Sequence, residues 1–226
     1  MQIIRFLLSG VCHQIPERCL VINNQTLPLC ARCRGMYLGA ALSLLALWLI
    51  GQGRRNTLPG LPVNIILIVF IALWAVDGFN SAWALFTSRP LLYEPSNALR
   101  LLTGFGTGTA IAIMLYPIYH DVLWRDTQPR LMLDRFWQFV VVMGIAGVGS
   151  GLLVLWPGTP FWLWVVVLSL AVMMVLSELN AVLIVILLHK EARATRWFQV
   201  IPYLLVGFVA GGGEMGILAL VRRLIA

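Results

Sequence analysis

Six stretches of this chain are so long and so apolar that only a helix buried in lipid or protein can satisfy their backbones. They run from Gly35 to Gly51, Pro62 to Ala82, Leu99 to Tyr119, Phe136 to Trp156, Phe161 to Leu188 and Gln199 to Val221, and none carries more than one Asp, Glu, Lys, Arg or His. A bilayer core of about 30 Å takes about 20 helical residues to cross, and an unpaired backbone group at that depth costs several kcal/mol. The expected fold is therefore all-α: a polytopic membrane bundle of about six helices. Residues 35–226 form the bundle, and residues 1–34 precede it as a Cys/His-rich extramembrane segment. Trp124, Trp137, Trp156, Trp162, Trp164 and Trp197 fall near the ends of these stretches, where an aromatic belt sits.

Composition agrees. Of 226 residues 60% are apolar and 11% charged, about half the charge of a soluble domain. A water-soluble domain, a disordered chain and a coiled coil are excluded. The 16 basic residues exceed the 9 acidic ones, giving a net charge of +7. The basic side chains lie mostly between apolar stretches, where they meet anionic headgroups and not nucleic acid. The expected partner is the lipid bilayer and the expected location the cell membrane. The positive charges divide evenly between the face that carries the N-terminus, side A, and the opposite face, side B, so orientation stays open. Glycines spaced by four (Gly35/Gly39, Gly104/Gly108, Gly147/Gly151, Gly207/Gly211) predict close helix contacts.

All four cysteines precede Arg34: Cys12, Cys19, Cys30 and Cys33. Cys30-x-x-Cys33 lets two thiolates reach one ion, and Cys12-His13 arrives from a separate segment. That donor set is the composition of a tetrahedral zinc site, with Cys12, Cys30 and Cys33 joined by His13 or Cys19. Arg18, Arg32 and Arg34 nearby favour the thiolate form that a metal requires. Two other readings stay open here: a thiol–disulfide pair at Cys30/Cys33, and inert thiols.

The string Cys12-His13-Gln14-x-Pro16-Glu17-Arg18, followed by Pro28-Leu29-Cys30-Ala31-Arg32-Cys33-x-Gly35-x-Tyr37-Leu38-Gly39, resembles a family of predicted bacterial and archaeal membrane proteins, domain of unknown function 2085. Weaker matches follow at Asp77-Gly78 and at Ser96-Asn97-x-Leu99-Arg100-x-x-Thr103-Gly104. The likeness covers about the first 110 residues. It implies topology and motif but no reaction. The family pattern usually has serine where this chain has Cys19 and threonine where it has Arg34, which implies that His13 and not Cys19 completes the ligand set.

Charged groups inside a span cost about 2.5–3.5 kcal/mol on insertion scales and mark candidate sites. Asp77 lies roughly 23 Å along its helix from side B, hence near side A. Asn97, Arg100 and Glu214 fall near the same face, beside the cysteine segment. Asp77 and Arg100 are expected either to pair as a plain ion pair or to work at a site. The enzymatic reading gives Asp77, Glu214 and Arg100 catalytic roles beside zinc. Arg18, Arg32 and Asn97 then hold an anionic group, such as a lipid phosphate or a small molecule. A second class of function, transport or ion handling, rests on the intramembrane Glu178 and Glu214. A third, thiol redox chemistry, rests on Cys30 and Cys33. Phosphate-binding glycine loops, His-Glu-x-x-His and Gly-x-Ser-x-Gly are absent from the sequence.

Overall fold

The computed structural model describes residues 2–22, 24–155 and 160–225; Trp156 lies outside the described residues. A short amphipathic helix α1 (Gln2–Ser9) opens the chain. A 3-10 turn at Pro16–Arg18 leads into the antiparallel hairpin β1 (Cys19–Ile22) and β2 (Gln25–Cys30). Then follow α2 (Ala31–Leu49), β3 (Arg55–Thr57), α3 (Leu61–Thr87) and α4 (Asn97–Leu123). The second half holds β4 (Gln128–Leu131), α5 (Phe136–Leu155), α6 (Phe161–Leu187) and α7 (Trp197–Ile225).

All six expected helices are present, as α2 to α7. Four of them, α3, α4, α6 and α7, are long and apolar enough to cross a membrane. The described apolar part of α5 is shorter, and α2 begins with two arginines in its first turn. The helix α2 starts at Ala31, four residues before the expected Gly35, because Cys30 in extended conformation (φ −65, ψ 161) caps it and ends β2. The small residues Gly35, Gly39, Ala40, Ser43 and Ala46 of α2 are buried, and the helix packs against α4, α5 and α6.

The closest packing joins α2 to α4. A Cβ on Gly104 would fall on the carbonyl of Arg32, and one on Gly108 on the carbonyl of Met36. Reciprocally, Gly35 faces the carbonyl of Leu101, and Gly39 that of Phe105. Only hydrogen side chains let two helical backbones approach this far. Ser43 Oγ donates to Thr109 Oγ1 at 3.0 Å across the same seam. Gly207 and Gly211 similarly bring α7 onto α6, against the carbonyl of Ser177 and the side chain of Leu176. The pair Gly147/Gly151 makes no such contact: Gly147 meets only a distant ring atom of Phe105, and Gly151 has open space.

The third helix is turned inside out relative to a soluble one. Its buried side includes Asp77, Asn80 and Ser81, while Ile65, Ile68, Leu73, Val76 and Phe79 are exposed. Such a surface is stable only where the surroundings are apolar, as in lipid. Exposed Trp137, Trp162 and Trp197 suit an interfacial belt, but Trp124 and Trp164 do not: both are buried in the protein. The loop before α5 is tied into the bundle. β4 pairs in parallel with β3, and Met132 and Leu133 are buried, because Gln52 Oε1 accepts the Leu133 N–H at 3.0 Å.

If the α2–α4 seam governs stability, Gly108→Ala lowers the unfolding free energy in detergent by about 1–3 kcal/mol, the usual penalty of overpacking. Gly144→Ala, where nothing lies within 4 Å of the new methyl group, leaves the thermal midpoint unchanged or slightly raised. Equal effects at both positions would disprove the role of the seam.

Candidate metal centre

Three segments meet at the first turn of α2. The loop after α1 brings Cys12, β2 ends on Cys30, and one helical turn later comes Cys33. The three sulfur atoms all lie within 4.8 Å of one another. A tetrahedral ion with Zn–S bonds of about 2.3 Å holds its sulfurs about 3.8 Å apart, so the trio needs little adjustment to close on one ion. The Cys30 N–H donates to Cys12 Sγ at 3.2 Å, and Cys33 Sγ faces the Val11 carbonyl at 3.9 Å. All four cysteines are free thiols.

The electrostatics place negative charge on Cys30. Hydrogen bonds from Cys12 and Cys33 first, then the N–H groups of Cys33 and Arg32, hold its thiol far below the ordinary range. These N–H groups are the open donors at a helix N-terminus, the end that favours an anion. The same pairing raises the Cys12 thiol, chiefly through Cys30. Cys19 sits opposite Cys30 in the hairpin but outside the trio. Burial pushes its thiol up to about 12.

His13 is the expected ligand that the structure does not bring in. Its side chain is exposed and its ring is not part of the sulfur group. The chain turns at Gln14 (φ 51), and the neighbouring backbone is fixed by Arg222 from α7. Arg222 donates to the carbonyls of Ser9 at 3.1 Å, Cys12 at 2.7 Å and His13 at 2.7 Å. A cleft of 410 Å³ between this loop and the last turns of α7 reaches Cys12, with His13 and Arg222 on its rim.

Beside the sulfurs lies a second polar cluster. Asp77, fully buried, pairs with Arg32 of α2 and not with Arg100. Arg32 Nε donates to Asp77 Oδ2 at 3.1 Å, and its Nη2 reaches the Asp77 carboxylate, the Asp77 carbonyl and Ser81 Oγ. Tyr93 donates to Asp77 Oδ1 at 3.0 Å, and Thr103 Oγ1 lies 3.4 Å from Oδ2. Buried Asn80 anchors the loop carrying Tyr93, accepting from the N–H groups of Leu91 and Leu92 and donating to the Tyr93 carbonyl. Arg32 wins over Arg100 because the glycine seam draws the first turn of α2 against the helix pair. Arg100 instead donates to Asn97 Oδ1 at 2.8 Å, and its Nε has no partner among the described residues. Asn97 in turn donates to the Glu17 carbonyl, and Arg18 to the carbonyl of Ser81. Ser96 caps α4, as its position before Ala98 implies, accepting from Leu99 N–H at 3.2 Å.

Arg34, the residue after Cys33 in the first turn of α2, is almost wholly buried (1% exposed). It lies over the Trp164 ring at 5.5 Å, and its Nε and Nη1 have no partner among the described residues. Glu214 stands apart from Asp77 and Arg100. Gly207 and Gly211 pack inward on α6, yet Glu214 is exposed and accepts from Asn180 Nδ2 at 3.1 Å at the α6–α7 edge. Glu178 lies away from this centre, in a cavity toward side B.

Sequence reasoning missed Arg222 and Tyr93. Arg222 sits in the last turn of a long helix, the place for a cation to meet carbonyls, and that signal was available. Tyr93 lies in a loop whose fold depends on Asn80 and had no local signal.

The geometry can be set beside known proteins. Residues 12–114 match a family described as "Predicted membrane protein (DUF2085)". An uncharacterised protein of Methanocaldococcus jannaschii is 28% identical over 117 residues, covering 52% of this chain and 69% of its own. One of Methanothermobacter thermautotrophicus is 29% identical over 113 residues, 50% of this chain and 91% of its own. No solved structure matches the chain. The matched segment contains the sulfur trio and every partner of Asp77 named above.

The Arg32–Asp77 pair clasps the first turn of α2 to α3. Asp77→Asn leaves the largely buried Arg32 guanidinium (side chain 17% exposed) without its counter-charge and should cost about 3 kcal/mol, the low end for a broken buried pair, whereas the double replacement Arg32→Met with Asp77→Leu should cost much less. Thermal unfolding of the purified variants checks it; a double variant no more stable than the single one contradicts the clasp.

Proposed function

We propose, from the match of residues 12–114 to the DUF2085 family of predicted membrane proteins, that this chain is an integral membrane metalloprotein whose Cys12, Cys30 and Cys33 bind one zinc ion at the side-A mouth of the bundle. The observation that carries the reading is the meeting of three sulfurs from three separate segments within 4.8 Å. Thiolate sulfur suits zinc among the common divalent ions. Three thiolates on a divalent ion leave one net negative charge. Arg34, fully buried and with Nε and Nη1 lacking a partner among the described residues, supplies the compensating positive charge.

A cleft lined by Cys12, His13 and Arg222 adjoins the trio. Zinc with three protein ligands keeps a site for water or substrate, and four close it. His13 on the cleft rim can close the shell only by turning inward, and Cys19 only by a shift of the hairpin. A zinc ion held by these three cysteines would supply Lewis-acid chemistry toward a bound water, and the substrate class the surroundings suit is an anionic lipid or small molecule. Arg18, Asn97 and the free Nε of Arg100 form the polar edge for its charge, and Arg32 and Asp77 hold the first turn of α2 in place. Glu214, on the far edge of α7, has no part in this scheme.

One observation favours a second reading. Cys30 as helix cap with Cys33 one turn later, and a thiol held low, is also the arrangement of a thiol–disulfide pair. Elemental analysis of detergent-purified protein separates the two. The metal reading expects about one zinc per chain, lost in Cys12→Ser, Cys30→Ser and Cys33→Ser and kept in Cys19→Ser and His13→Ala. Wild-type protein without metal, together with a reversible Cys30–Cys33 disulfide seen by mass spectrometry, would replace it with the redox reading.

A further inference from the structure

The opposite end of the bundle carries a second and different site. A cavity of 560 Å³ lies between the last turns of α2, the end of α4, the middle of α6 and the start of α7. Leu44, Leu45, Met174 and Leu204 give it apolar walls. Four aromatic rings face it, those of Trp48, Tyr116, Tyr119 and Trp197. Trp48 and Trp197 are more than half exposed, so the cavity opens toward the bundle surface.

Its charged and imidazole groups come from three of the segments around it. Glu178 is contributed by α6, His120 by α4 and Arg54 by the loop after α2; α7 contributes no charged group. Two of the three are already engaged. Arg54 lies 3.7 Å over the Trp124 ring and donates to the Thr195 carbonyl at 3.3 Å. His120 Nδ1 is 2.8 Å from the Tyr116 carbonyl, its ring stacked 4.3 Å from that of Tyr116. Tyr116 in turn donates to the Gly53 carbonyl at 2.9 Å. The Glu178 carboxylate alone has no hydrogen-bond or salt-bridge partner among the described residues. A carboxylate in an apolar wall, without a donor, is costly unless something positive meets it.

We infer that this cavity binds an amphiphilic organic cation, an ammonium group on an apolar body, with Glu178 as counter-charge and the aromatic rings around the charged head. Aromatic faces attract such cations more strongly when water is excluded. The carbonyl ends of α2 and α4 point the same way and favour positive charge over negative. An anionic ligand would face the unpartnered carboxylate and would have to draw Arg54 away from Trp124. This site is independent of the sulfur centre.

The test uses two ions of the same shape and opposite charge. The full chain in nonionic detergent is titrated with tetraphenylphosphonium or tetraphenylborate, and tryptophan fluorescence is read after subtraction of protein-free micelles. Saturable quenching by tetraphenylphosphonium is expected, with affinity about tenfold or more weaker in Glu178→Gln. That variant keeps the shape of the side chain and should melt like the wild type. Trp197→Leu should weaken binding about three- to tenfold, the scale of one lost cation–ring contact. Tetraphenylborate binding as tightly as tetraphenylphosphonium, no saturable binding of either ion, or an unchanged affinity in Glu178→Gln would each overturn the inference.

Discussion

Everything at the side-A mouth depends on how closely α2 approaches α4. Four glycines, two on each helix, let the carbonyls of one backbone sit where side chains of the other would be. In lipid there is little hydrophobic drive to bring helices together, so van der Waals contact of this kind carries the association. The seam fixes the depth and direction of α2. Its first turn, with Arg32, Cys33 and Arg34, is thereby set against the start of α4 and the end of α3.

From that placement the polar chemistry follows. Arg32 reaches the buried carboxylate of Asp77, and Tyr93 and Thr103 complete its surroundings. Cys30, as the residue before the helix, gains the open N–H groups of the first turn. Arg222, from the far end of the chain, binds the loop that delivers Cys12. The two ends of the bundle thus differ in kind. One gathers soft sulfur and paired charges under a cleft, and the other gathers aromatic faces around a lone carboxylate. The sulfur trio and the partners of Asp77 fall within residues 12–114 that match the family, whereas the second end draws on α6 and α7 beyond them.

The helices were legible because lipid imposes a length and a composition at once, and those two constraints leave few alternatives. The sulfur trio was legible in part. Cys30 and Cys33 are neighbours by their spacing, and Cys12 is brought within 4.8 Å of both. His13 is not brought into that group, since adjacency in sequence does not fix the direction of a side chain on a loop, and Arg222 holds that loop by its backbone. The gathering of Asp77, Asn97 and Arg100 near one face could be read from depth along each helix. Their pairing could not, because Arg32 and Arg100 differ only in which helix seam presses them toward Asp77. Glu214 shared a face with Gly207 and Gly211 on a helical wheel, yet those glycines draw α7 so near α6 that the longer side chain is left at the edge. The short strands escaped notice because three- to six-residue pairings leave no periodic signal beside apolar stretches several times longer.

The most direct measurement is X-ray absorption at the zinc edge on protein loaded with about one equivalent of metal. Three sulfur neighbours at about 2.3 Å, with a single lighter atom completing the shell, are expected if Cys12, Cys30 and Cys33 hold the ion together. A shell of nitrogen and oxygen alone, or one sulfur where three are required, would mean that these thiols do not form a centre.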